Sequence, residues 1–112
     1  AADLERLIAA RSFAHMPRQA AAATTGHVRR ETDAAVLTLT PSRATPSQIY
    51  LVIELSDPDA APPQQLFTRA AGGAWTRIQL PKFVNARTQV LLEAGGDAAV
   101  ALADPETEVY LL

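Results

Sequence analysis

The stretch Gln48-Ile49-Tyr50-Leu51-Val52-Ile53-Glu54-Leu55 constrains the fold more than any other part of the chain. It is apolar and rich in β-branched residues. Turn formers close it on both sides, Pro46-Ser47 before and Ser56-Asp57-Pro58 after. In an extended chain successive side chains alternate between faces. Ile49, Leu51, Ile53 and Leu55 then share one face, and Tyr50, Val52 and Glu54 the other. The first face is wholly apolar and the second mostly so, which predicts a central strand covered on both sides.

Other strand-like segments follow the same logic. Ala35–Thr40 alternates, with Leu37 and Leu39 on one face and Val36, Thr38 and Thr40 on the other. Pro41–Pro46 reads as a loop, and Asp57–Pro63, with its clustered prolines, as a loop or edge crossing. Leu66–Leu80 carries the best hairpin signal, because Gly72-Gly73 can supply the positive φ values of a type I′ turn. That turn pairs Arg69 with Thr76 and Phe67 with Ile78. It puts Phe67, Ile78 and Leu80 on a core face and Thr68, Trp75, Arg77 and Gln79 on the other. A shift of one residue exchanges the faces. Thr88–Glu93 and Glu108–Leu112 read as two further strands. Ala98–Ala103 is balanced between strand and helix: Val100 and Leu102 alternate, whereas the alanines and Asp97 as a cap favour a helical turn.

The N-terminal part is different in character. Leu4, Leu7 and Ile8 form an i, i+3, i+4 stripe with Asp3 and Glu5 in the first turn, which predicts a short helix over Ala2–Phe13, ended by Pro17. A helix so short needs a surface to pack on. An alanine-rich arm follows. The start at Ala1 fits a removed leader or a fragment, and His15-Met16 resembles a cloning scar, which makes a vector origin for residues 1–15 an alternative. The expected division is residues 1–30 as helix and arm and residues 31–112 as an antiparallel β domain. The expected fold is mainly β: an antiparallel β-sandwich, or a curved sheet, of six to seven short strands with a short N-terminal helix.

A chain of 112 residues is long enough for one core and too short for two. Its net charge of −2 lacks the basic excess with which a domain holds nucleic acid by its phosphates, so no nucleic acid is expected as a partner. It has no cysteine and thus no disulfide framework. No apolar run approaches the roughly 18 residues of a membrane-spanning helix. Lys82 is the only lysine, while arginine and alanine abound, a bias that fits a GC-rich bacterial genome. None of this fixes a compartment.

No phosphate-loop, dinucleotide or nucleophile-elbow motif is present, so no cofactor is expected and the glycine pairs read as turns. His15 and His27 do not make a ligand set, and no metal site is expected; Asp57 and Asp59 would join Asp104 and Glu106 around calcium only if their loops met. Glu54 is the one carboxylate inside a strongly apolar strand and therefore the one candidate for acid–base chemistry, if it is buried. Arg29-Arg30, followed by Glu31, reads as a solvated strand entrance, with phosphate or an acidic partner as its alternative. The candidate ligand or partner surface is Trp75 with Arg77, flanked by Thr68 and Gln79, because Trp and Arg offer large areas and directed polar groups at protein contacts. The competing reading makes Trp75 a core residue under the N-terminal helix.

These features point to a non-catalytic binding or protein-interaction module, with a protein partner or self-association. The alternatives are a small-ligand or carbohydrate-binding domain using the Trp/Arg face, and a small enzyme with a buried carboxylate.

Overall fold

The computed structural model describes residues 14–16 and 28–112. The helix expected over Ala2–Phe13 and the histidine at position 27 lie outside the described residues. Among the described residues eight strands and one helix follow in order: β1 (Ala14–Met16), β2 (Val28–Glu31), β3 (Ala35–Pro41), β4 (Gln48–Leu55), β5 (Gln65–Arg69), β6 (Trp75–Gln79), β7 (Arg87–Glu93), α1 (Asp97–Ala103) and β8 (Glu108–Leu111). They form two antiparallel sheets, ordered β1-β8-β5-β6 and β2-β3-β4-β7, rather than one curved sheet. Strands thus occur within the segment read as an arm. Ala14–Met16 pairs with β8, and Met16 is 1% exposed within the core.

The alternation in β3 and β4 does what period two requires. Ala35, Leu37, Leu39, Leu51 and Ile53 are fully buried, and Leu37 faces Ile53 while Leu39 faces Leu51. β4 is central, between β3 and β7. Its second face is less covered than its sequence implies: Tyr50 and Val52 are half-buried and Glu54 is exposed. Pro41 ends β3 without loss. The bond from Ser42 N–H to Gln48 C=O puts even-numbered residues of β3 in the pairs bonded to β4, so Pro41 removes no donor from the ladder with β4. Both sheets and Leu102 of α1 contribute to one apolar cluster.

Ala98–Ala103 is helical. Alanine-rich sequence favours it, and Ala99 and Leu102 form an i, i+3 buried stripe while Val100 faces outward. Gly96, not Asp97, occupies the N-cap position and supplies no side-chain cap; Asp97 sits in the first turn, where the helix dipole favours an acid. Seven residues make a helix only with tertiary help. That help comes from Arg30. Its side chain is 1% exposed and reaches from β2 to the end of α1. Nη1 donates to Thr107 O at 2.7 Å, and Nη2 donates to Leu102 O at 3.2 Å and Asp104 O at 2.6 Å. A cation beside carbonyls at a helix C-terminus is favoured by the dipole as well as by the bonds. Arg29 alone fits the solvated reading, with its guanidinium 3.0 Å from Glu31.

The 83–87 turn shows where the backbone is strained. Val84 and Arg87 exchange both backbone hydrogen bonds around Asn85 (φ 53) and Ala86 (φ 63). This is a type I′ turn, whose second position favours glycine. Ala86→Gly should raise stability by about 0.5–1 kcal/mol, the relief of a left-handed alanine less the greater entropy of an unfolded glycine. A urea midpoint that falls in this variant would show that the packing of Ala86 on the core outweighs its strain.

Candidate functional site

The β5–β6 hairpin carries the expected surface, but its register differs by one residue from the two-glycine turn. Arg69 faces Trp75, Thr68 faces Thr76, and Leu66 faces Ile78. The loop explains the shift. Gly73 N–H bonds Ala70 C=O at 2.8 Å, Gly73 is at φ 90, and Ala70 N–H bonds Ala74 C=O at 2.8 Å. That is a three-residue loop, a turn followed by one left-handed glycine, in place of a type I′ pair. Only β5 changes face. Leu66 and Thr68 point to the core with Ile78 and Leu80, while Phe67 is half-buried on the outer side.

Trp75, Arg77 and Gln79 therefore do share the outer face of β6, and Thr68 does not join them: it is 0% exposed on the opposite face, where its hydroxyl bonds that of Thr76. Trp75 is half-buried, with its ring 5.7 Å from that of Tyr110 at a tilt of 32°. This aromatic contact spans β5, and beside it Arg69 reaches Glu108 at 3.2 Å. Arg77 and Gln79 are exposed, and no side-chain ion pair engages Arg77 among the described residues.

The backbone of β6 matters as much as its side chains. β6 is an edge strand. Bonds from Ala70 N–H to Ala74 C=O and from Leu80 N–H to Gln64 C=O put even-numbered β6 residues in the hydrogen-bonded pairs with β5. In an antiparallel ladder the alternate residues direct their N–H and C=O groups away. Trp75, Arg77 and Gln79 thus present their backbone donors and acceptors to the open edge. At its C-terminal end the strand borders a cleft of about 450 Å³ between Pro62-Pro63-Gln64 and Leu80-Pro81-Phe83. At its N-terminal end lies a second cleft of about 440 Å³, between the hairpin and α1, bordered by Thr68, Thr76, Thr107, Asp97, Asp104 and Val100.

Two buried polar atoms have no hydrogen-bond partner among the described residues, Arg30 Nε and Thr107 Oγ1. Burial draws the Arg30 pKa below its ordinary value, and the nearby charge of Asp104 partly opposes that shift. Arginine starts so high that it stays cationic. Thr107→Val keeps the shape and removes an unbonded hydroxyl, so stability should hold within ~1 kcal/mol of the parent or rise. A loss of 2 kcal/mol or more in thermal unfolding would show that the hydroxyl is bonded in solution.

The remaining candidates disperse. The Glu54 side chain is 63% exposed and lies 3.7 Å from Arg87, its cross-strand neighbour, so the burial that acid–base work needed is missing. Asp57 Oδ1 accepts from Asp59 N–H and Asp104 Oδ1 from Glu106 N–H, each at 2.9 Å, so both acidic pairs shape local turns. Among the described residues no three potential metal ligands come together. No described helix is long and apolar enough to cross a membrane.

Sequence reasoning missed Arg30. A signal was available: counted in steps of two from Val28, position 30 falls on the inward face, and the burial alternates accordingly through β2. The open edge of β6 had no sequence signal, because strand order is not written in any local pattern. Compared with known proteins, the chain matches no family model, no curated protein and no solved structure.

Proposed function

We propose that this chain is a non-catalytic interaction module that binds an extended polypeptide segment as an added strand on β6. The observation that carries the reading is the edge itself: Trp75, Arg77 and Gln79 direct outward backbone groups that bond no other described residue, and hold their side chains on one face. Strand addition draws affinity from main-chain hydrogen bonds and specificity from pockets for alternate side chains. Here a cleft lies at each end of the strand. In this reading the two sheets pack face to face as a β-sandwich, supported by the single apolar cluster they share. That leaves the β6 edge lateral and open. The small-ligand alternative depends on the Trp75 ring, which is already engaged with Tyr110.

The test is selection from a displayed library of random seven-residue segments on the immobilised protein. Recovered peptides should lose binding when alternate backbone nitrogens are methylated, since methylation removes donors and leaves side chains in place. Arg77→Pro should also abolish binding while the protein stays folded, because the lost N–H takes no part in the ladder with β5 and proline is tolerated on an edge. Peptides that bind equally well after methylation at every position would end the strand-addition reading.

A further inference from the structure

The cleft at the N-terminal end of β6 has a chemistry of its own. Its hydroxyls come from Thr68, Thr76 and Thr107, its carboxylates from Asp97 and Asp104, and among the described residues no cationic side chain lines it. Thr68 and Thr76 satisfy one another. The Thr107 hydroxyl does not: the residue is 0% exposed, borders the cleft, and leaves Oγ1 without a partner among the described residues. Asp97 is exposed at the start of α1 and forms no ion pair among the described residues. Val100 and the alanines of α1 and the hairpin supply apolar wall between these polar groups.

We propose that this cleft receives a lysine or arginine side chain from the added strand. The inference rests on the strand-addition reading and names the residue type that the module selects. A long basic side chain buries its aliphatic stem on apolar surface and keeps its head on polar groups. The alanine and valine wall suits the stem. The carboxylates of Asp97 and Asp104 suit the charge of its head. The countervailing charge is Arg30, which lies behind the wall. Its two terminal nitrogens are already held by the carbonyls of Leu102, Asp104 and Thr107, and its charge acts first on Asp104. Asp97 is left as the free negative group at the mouth. An acidic side chain would meet two carboxylates there, and a neutral one would leave their charge unanswered, so both are disfavoured.

The library selection reads this directly. Recovered segments should be enriched in lysine or arginine at one position, and a synthetic peptide of that consensus should bind about 10-fold or more weakly when its basic residue is replaced by citrulline or norleucine. Asp97→Asn should close most of that gap while leaving the citrulline peptide's affinity unchanged. Added salt should weaken the basic peptide more than the neutral one. Binders recovered without basic enrichment, or a citrulline peptide that binds as tightly as its parent, would overturn the inference and leave strand addition standing. A selection that yields no binders would overturn both.

Discussion

Arg30→Met should cost about 3–5 kcal/mol, a large share of the roughly 5–15 kcal/mol that holds a domain of this size. Methionine fills much of the space but makes none of the three bonds to Thr107, Leu102 and Asp104. Removing one side of a buried charged cluster leaves the other side unsatisfied, and carbonyls without donors carry their full desolvation cost. The loss should be local as well as global. Amide exchange in α1 and β8 should accelerate more than in β3 and β4, because the guanidinium ties the first pair of elements to the β2 end of the other sheet. Arg30→Lys should recover only part of the stability, since one ammonium cannot span carbonyls that a planar fork reaches from two nitrogens. A urea midpoint for Arg30→Met within 1 kcal/mol of the parent would mean that α1 does not depend on this anchor.

Ile53→Asp should abolish the cooperative transition near neutral pH. Ile53 is 0% exposed and faces Leu37 on one side and Thr88 on the other; the buried cation in the same row, Arg30 across Leu37, is held by the carbonyls of Thr107, Leu102 and Asp104. A buried ionised group without a partner costs more than most domains have in reserve. Circular dichroism should show a chain unfolded at 25 °C, whereas Glu54→Lys, on the exposed face of the same strand, should retain the parent's melting curve to within a few degrees. A cooperative melt for Ile53→Asp would show that the β4 core face is not where the domain's stability lies.

The contrast between these two neighbouring positions was legible in the sequence, because alternation in a strand is local physics. β4, the core face of β3, and the strands near 88–93 and 108–111 all follow from period-two patterning bounded by turn formers. The surface trio Trp75, Arg77 and Gln79 followed from the same rule applied along one strand. Thr68 did not, because its face depended on whether the hairpin loop held two residues or three. Two adjacent glycines allow either, and only the pairing of β5 with β8 as well as β6 selects the register that buries Leu66 and Thr68 beside Val109 and Leu111.

The sequence by itself determined which residues alternate, where the chain turns, and that the described residues contain a mainly β fold with an aliphatic core, since each of these depends on neighbours a few positions apart. Tertiary structure alone decided the rest. Ala98–Ala103 became a helix because Leu102 had a core to enter and Arg30, some seventy positions earlier, was placed to receive its carbonyls. β6 became an edge because β5 pairs with β8 on its other side. Both outcomes were settled by contacts between distant segments, whose free energies depend on the assembled sheet; the local pattern allowed the helix at 98–103 and an inward Arg30 without requiring either.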